Sequence, residues 1–130
     1  DHGVESGESQ MCIGDRRERA HWLRAAAGRD TAVLVDCATL WLSNLLEAGR
    51  DPEPAIAELC EALAGLPGPV VIVTNEVGHG IVPATALGRA FRDQHGRMNQ
   101  RLAAAMDHVV LVVAGRALVL PKSPVPEIVL

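Results

Sequence analysis

Thr74-Asn75-Glu76-Val77-Gly78-His79-Gly80 sets an amide, a carboxylate and an imidazole close together in one short segment. The segment follows Val70-Val71-Ile72-Val73, an apolar run without polar alternation. Such a run reads as a strand covered on both faces. Ligands of open parallel sheets bind beyond the carboxyl ends of the strands, so the chemistry is expected at this turn. Asn75 and Glu76 either contact a ligand or cap the next turn. His79 is a candidate base, although an exposed loop histidine is the commoner occurrence. Its flanking residues, Gly78 and Gly80, allow backbone geometry that other residues resist. Val33-Leu34-Val35 ends in a second acid, Asp36. A carboxylate in that position either holds Mg²⁺ beside nucleotide phosphates, as in the Walker B strand of P-loop proteins, or caps the following helix. Two carboxylates at one sheet edge raise each other's pKa unless a cation lies between them. A magnesium–nucleotide complex would supply that cation.

Other residues bear on phosphate. Arg89 and Arg92 share one side of a long helical segment with Asp93. The guanidinium fork suits phosphate, whereas an Arg89–Asp93 ion pair is the plainer expectation. Near the start, His2-Gly3-Val4-Glu5-Ser6-Gly7-Glu8-Ser9 is the nearest approach to a Walker A loop. Gly7 and Ser9 fit that pattern. His2 stands at the first glycine and Glu8 at the lysine, and no strand pattern precedes the loop.

These residues need elements to hold them. Residues 1–20 read as irregular, and residues 20–28 as an Ala-rich helix ending at Gly28. Thr31–Val35 is a strand pattern leading into Asp36, and Leu40–Ala48 a helix closed by Gly49. Asp51-Pro52 starts a further helix, with Ile56, Leu59, Cys60 and Leu63 on one face and Gly65 at its end. Pro67-Gly68-Pro69 turns into the 70–74 strand. After Pro83 a long helix carries a stripe of Leu87, Phe91, Met98, Leu102 and Ala105, with Gly96 as its weak point. His108–Val113 and Ala117–Leu120 are strand patterns around Gly115, and the proline-containing tail 121–130 is expected on the surface. Alternating strands and helices predict an α/β fold with a parallel sheet and right-handed crossovers.

Composition narrows the partners. The 130 residues are expected to form a single domain, with a divergent segment 1–30, a core 31–122 and a tail 123–130. A net charge of -4 with Trp22, Trp41 and Phe91 as the only Phe, Trp or Tyr residues argues against nucleic acid. Cys12, Cys37 and Cys60 are too far apart for a metal motif or a disulfide framework. No apolar run approaches the roughly 18 residues of a membrane span, and a cytoplasmic location is expected.

Leu34-Val35-Asp36-Cys37-Ala38-Thr39-Leu40-Trp41-Leu42-Ser43-Asn44-Leu45-Leu46 resembles the bifunctional adenosylcobinamide kinase / adenosylcobinamide-phosphate guanylyltransferase family. So do Thr74–Pro83, Arg89–Asp93 and Gly96–Gln100, continuing to Val110–Gly115, in the family's order. The likeness covers residues 31–122. It implies a RecA-like P-loop fold, usually a homotrimer. It also implies phosphorylation of adenosylcobinamide by ATP or GTP, then transfer of GMP from GTP through a guanylylated histidine to give adenosylcobinamide-GDP. By this resemblance Asp36 matches the nucleotide-facing, Mg²⁺-holding acid. Gly3, Ser6, Gly7 and Ser9 match four positions of the family's phosphate loop, with Glu8 at its lysine. Glu18-Arg19-Ala20-His21-Trp22 is a partial echo of the motif that follows the acceptor histidine, and leaves His21 as the candidate GMP acceptor. Asn75, Glu76, Arg89 and Arg92 fall at the edge of the implied site. The stretch from Trp22 to Asp36 is shorter than in the family. The same departures also fit a non-catalytic oligomerisation or regulatory homologue.

Overall fold

The computed structural model describes residues 19–122. Gly7, Ser9 and the rest of the phosphate-loop-like segment lie outside the described residues, as does the tail from residue 123. In chain order the elements are α1 (Arg19–Ala26), β1 (Val33–Asp36), α2 (Ala38–Glu47), α3 (Pro52–Ala64), β2 (Val70–Val73), a 3₁₀ turn (Val77–His79), α4 (Ala86–Ala105), β3 (Val109–Val113) and β4 (Arg116–Leu120).

Local chemistry sets the helix boundaries. The Asp51 side chain accepts from the Glu53 N–H at 3.1 Å, and Pro52 fills the first helical position of α3. Thr85 does the same for α4, accepting from the Gly88 N–H at 3.0 Å. α2 ends in a Schellman motif. Gly49 takes φ +70° while its N–H reaches Leu46 O and the Arg50 N–H reaches Leu45 O. Gly96 does not interrupt α4, which runs unbroken through it.

β1 and β2 pair in parallel, with Val33 opposite Val70 and Asp36 opposite Val73. Leu23 of α1, Val33 and Val35 of β1, Trp41, Leu42 and Leu45 of α2, Ile56 and Leu59 of α3, and Met98 and Leu102 of α4 form one buried cluster. This is the core, built mainly from helix faces around the alternate residues of β1.

The structure departs from the sequence-based expectations in several places. The expected single parallel sheet is two two-stranded sheets, because β3 and β4 pair with each other in antiparallel fashion. The reason lies in their connection. Ala114 and Gly115 take φ +51° and +73°, the twist of a two-residue hairpin turn. Such a turn sends the chain straight back, with no room for a crossover. β2 is not covered on both faces, since Val71 and Val73 are exposed while Val70 and Ile72 face inward. The α4 stripe holds at Met98 and Leu102, but Leu87 is 78 % exposed, and His95 is buried in its line. Gly78 and Gly80 do not use their freedom. Neither is among the described glycines with positive φ, and Gly80 sits at φ -90° in extended backbone.

Candidate functional site at the carboxyl ends of β1 and β2

Parallel pairing brings the two candidate acids to one edge. Asp36 ends β1 opposite Val73, and the chain leaves β2 through Thr74, Asn75 and Glu76. Capping does not occupy Asp36. Cys37 takes the N-cap position of α2 with no side-chain bond, and the Asp36 carboxylate is exposed. The Asp36–Cys37 peptide bond is cis. Glu76 precedes the 3₁₀ turn without capping it. Its Oε1 accepts weakly from Asn99 Nδ2 at 3.4 Å, and its Oε2 lies 4.0 Å from His79 Nε2. His79 itself is exposed.

Apart from Arg92, the turn is held by residues that sequence reasoning did not single out. Asn75 donates from both its backbone N–H and Nδ2 to Thr39 Oγ1, at 3.1 and 3.0 Å. Thr39 Oγ1 lies 2.8 Å from Nε2 of His95, whose side chain is only 1 % exposed. Thr74 donates its hydroxyl to Asn99 Oδ1 at 2.7 Å, and Asn99 Nδ2 donates to the Asn75 carbonyl at 2.8 Å. Arg92 donates to the Gly78 carbonyl. Arg92, His95 and Asn99 follow at spacings of three and four, which places them on one side of a helix. That polar stripe beside the apolar one was the available signal. α2 supplies Thr39, α4 supplies the stripe, and the β2 end is clamped between them.

Burial pushes the His95 pKa below its ordinary value, with the nearby Glu76 charge acting in the opposite direction. The Phe91 ring packs beside it at a centroid distance of 5.7 Å. Burial also raises the Cys60 thiol, while the Arg101 charge acts to lower it. This agrees with Cys60 as a small residue packed against the core.

The remaining candidates are placed differently. Arg89 turns away from Asp93. Its Nη1 donates to the carbonyls of Pro83 and Ala84 at 3.1 and 3.0 Å, which ties down the entry to α4. His21 is on the exposed side of α1, a helix that packs against α3. No hydrogen bond or ion pair joins His21 to Asp36, Asn75, Glu76, Arg89 or Arg92. Beside the 3₁₀ turn an open groove is lined by Gly78, Arg92, Asp93, Gly96, Arg97 and Gln100. Among the described residues no three His, Cys, Asp or Glu side chains converge as a metal centre. No described helix is long and apolar enough to cross a membrane.

The profile of the family described as cobinamide kinase / cobinamide phosphate guanyltransferase matches residues 4–120. The chain is 37 % identical to the bifunctional adenosylcobalamin biosynthesis protein CobP of Pseudomonas aeruginosa, over 91 % of this chain and 78 % of that protein. It is 43 % identical to the bifunctional adenosylcobalamin biosynthesis protein CobU of Salmonella typhimurium, over 74 % of this chain and 68 % of that one. The like-named protein of Escherichia coli is 42 % identical, over 72 % of this chain and 60 % of its own length. The alignment to the Pseudomonas protein runs over 135 positions, more than the 130 residues of this chain, so that relative carries residues without a counterpart here.

Proposed function

Since the chain belongs to the cobinamide kinase / cobinamide phosphate guanyltransferase family, we propose that it binds a nucleoside triphosphate at the carboxyl ends of β1 and β2. There it serves the phosphorylation of adenosylcobinamide and the transfer of GMP to the resulting phosphate. The observation that carries this reading is the pairing of β1 with β2, which sets the exposed, uncapped Asp36 beside the clamped Thr74–Glu76 turn.

Asp36 is the residue proposed to hold Mg²⁺. Magnesium is commonly bound through one or two carboxylates together with substrate phosphates and water. An exposed carboxylate at a strand end fits that role better than it fits a metal cage built only from protein. When bound, the ion would neutralise charge on the phosphates. Gly7 and Ser9 are proposed as further nucleotide contacts. Arg92 brings positive charge to the groove beside the turn, where Arg97 adds a second guanidinium. His21 is the proposed GMP acceptor: an imidazole nitrogen attacks the α-phosphorus of GTP and pyrophosphate leaves. The cobinamide phosphate oxygen then displaces the histidine, which regenerates it. A homo-oligomer, with a trimer as its proposed form, is supported by the exposed apolar residues of β3 and β4, including Val112 and Val119.

Incubation with GTP labelled at the α-phosphate tests this reading. Acid-labile covalent label that disappears in His21→Ala is the expected result. A second reading, a non-catalytic homologue, is favoured by Glu8 at the lysine position of the loop. It predicts no label and little or no GTP-dependent rise in melting temperature, because a carboxylate there repels phosphate. Neither label nor a rise in melting temperature would sink nucleotide binding altogether.

A further inference from the structure

Thr39 is the junction of the clamp, and its hydrogen-bond capacity fixes the state of its neighbours. A threonine hydroxyl has one proton to donate and two lone pairs to accept with. Both acceptor positions are taken by Asn75, one by the backbone N–H and one by Nδ2. The remaining contact, to His95 Nε2 at 2.8 Å, must therefore use the Thr39 proton. Nε2 is then an acceptor, so the His95 ring is neutral and carries its proton on Nδ1. A doubly protonated or Nε2-protonated ring would direct a third donor at Thr39 and leave the threonine proton without an acceptor. Across the turn Asn99 makes the complementary set of bonds. Its Oδ1 accepts from Thr74, and its Nδ2 donates to the Asn75 carbonyl and weakly to Glu76.

We propose that Thr39 and the neutral, Nδ1-protonated His95 are positioning residues of the β1–β2 site. They act through Asn75 to hold the Asn75–Glu76 turn at the carboxyl end of β2, beside the strand that ends in Asp36. This rests on the reading of that edge as the nucleotide site. The two side chains come from different helices, α2 and α4. The clamp therefore also sets the spacing of α4, with its Arg92, from the end of β1.

The test has a spectroscopic arm and a functional arm. Long-range ¹H–¹⁵N correlation of the imidazole ring in the full chain at neutral pH should show His95 with Nδ1 protonated and Nε2 bare. Thr39→Val removes the hydroxyl at nearly constant shape. It should shift the Asn75 amide and side-chain signals and weaken GTP binding, read from the melting-temperature rise, by on the order of tenfold, the size of about one such hydrogen bond. Thr39→Ser should restore both. His95→Gln, which keeps an acceptor for the Thr39 proton, should retain GTP binding that His95→Leu loses. An Nε2-protonated ring, as a reversed Asn75 amide would produce, overturns the proposal. So does equal GTP binding in Thr39→Val and Thr39→Ser, or in His95→Gln and His95→Leu. If the unsubstituted chain shows no response to GTP, the nucleotide reading of the site fails. The tautomer and the Asn75 signals still decide the clamp itself.

Discussion

The β1–β2 pair and the β3–β4 hairpin have nearly the same composition and opposite surroundings. Val33 and Val35 are buried within a cluster drawn from four helices. In the hairpin, Val110, Val112, Val113, Leu118, Val119 and Leu120 are all exposed. Val112 and Val119 reach 64 % and 65 % exposure. Apolar β-branched residues make a strand in both places. What differs is whether helices pack on it. The lesson is functional: the packed pair ends in a hydrogen-bonded polar turn, whereas the hairpin offers an apolar surface of the kind that marks interaction sites.

Substitutions can break or sharpen this contrast. The largest effect belongs in the packed half. Leu42→Ala removes a fully buried side chain and should cost about 2–5 kcal/mol in denaturant unfolding. A loss under about 1 kcal/mol would mean that the cluster is not the core. Next is the clamp: Asn99→Leu leaves the Thr74 hydroxyl and the Asn75 carbonyl without their partner. Both bonds are solvent-exposed, so the change should cost about 0.5–1.5 kcal/mol while leaving the hairpin amides unshifted in NMR spectra. Spread of the change into β3–β4 would show that the two sheets act as one.

Acidification should act on the same half. The folded His95 pKa lies below its ordinary value of 6.5, so the unfolded chain binds the proton more readily. Stability contributed by His95 is present above about pH 6.5 and is lost as pH falls through the depressed folded value. Glu76 is the charged group that opposes this shift. His95→Gln should flatten that limb of the stability–pH curve, and an unchanged limb would assign it to another group. The smallest effect on the protomer belongs to the hairpin. Val112→Glu combined with Val119→Glu should change unfolding free energy by no more than about 0.5 kcal/mol, yet lower the mass seen by light scattering. An unchanged mass would remove this face from the proposed oligomer contact.

Much of the framework is legible in the sequence alone. Asp51-Pro52 marked the start of α3, and both site strands ended at the acid or polar turn expected of them. The clamp was not legible in that way. Thr39 sits unremarkably in the first turn of α2, and the polar stripe of Arg92, His95 and Asn99 on α4 does not say which residues it meets. Their partners lie 56, 36 and 25 positions away along the chain, and contacts at such separations leave no local pattern to read.

By itself the sequence determined which segments are strands and helices, where caps stop them, and that Asp36 and Asn75–Glu76 come at strand ends. Those features follow from side-chain periodicity and from bonds between neighbours in the chain. Only the tertiary structure decided that β3 and β4 form a hairpin apart from the parallel pair, that one face of β2 stays open, and that a buried histidine holds the site turn through a threonine hydroxyl. The physical reason is that burial and the direction of a hydrogen bond depend on which elements meet. Here α2 and α4 meet over the end of β2 and not over the hairpin.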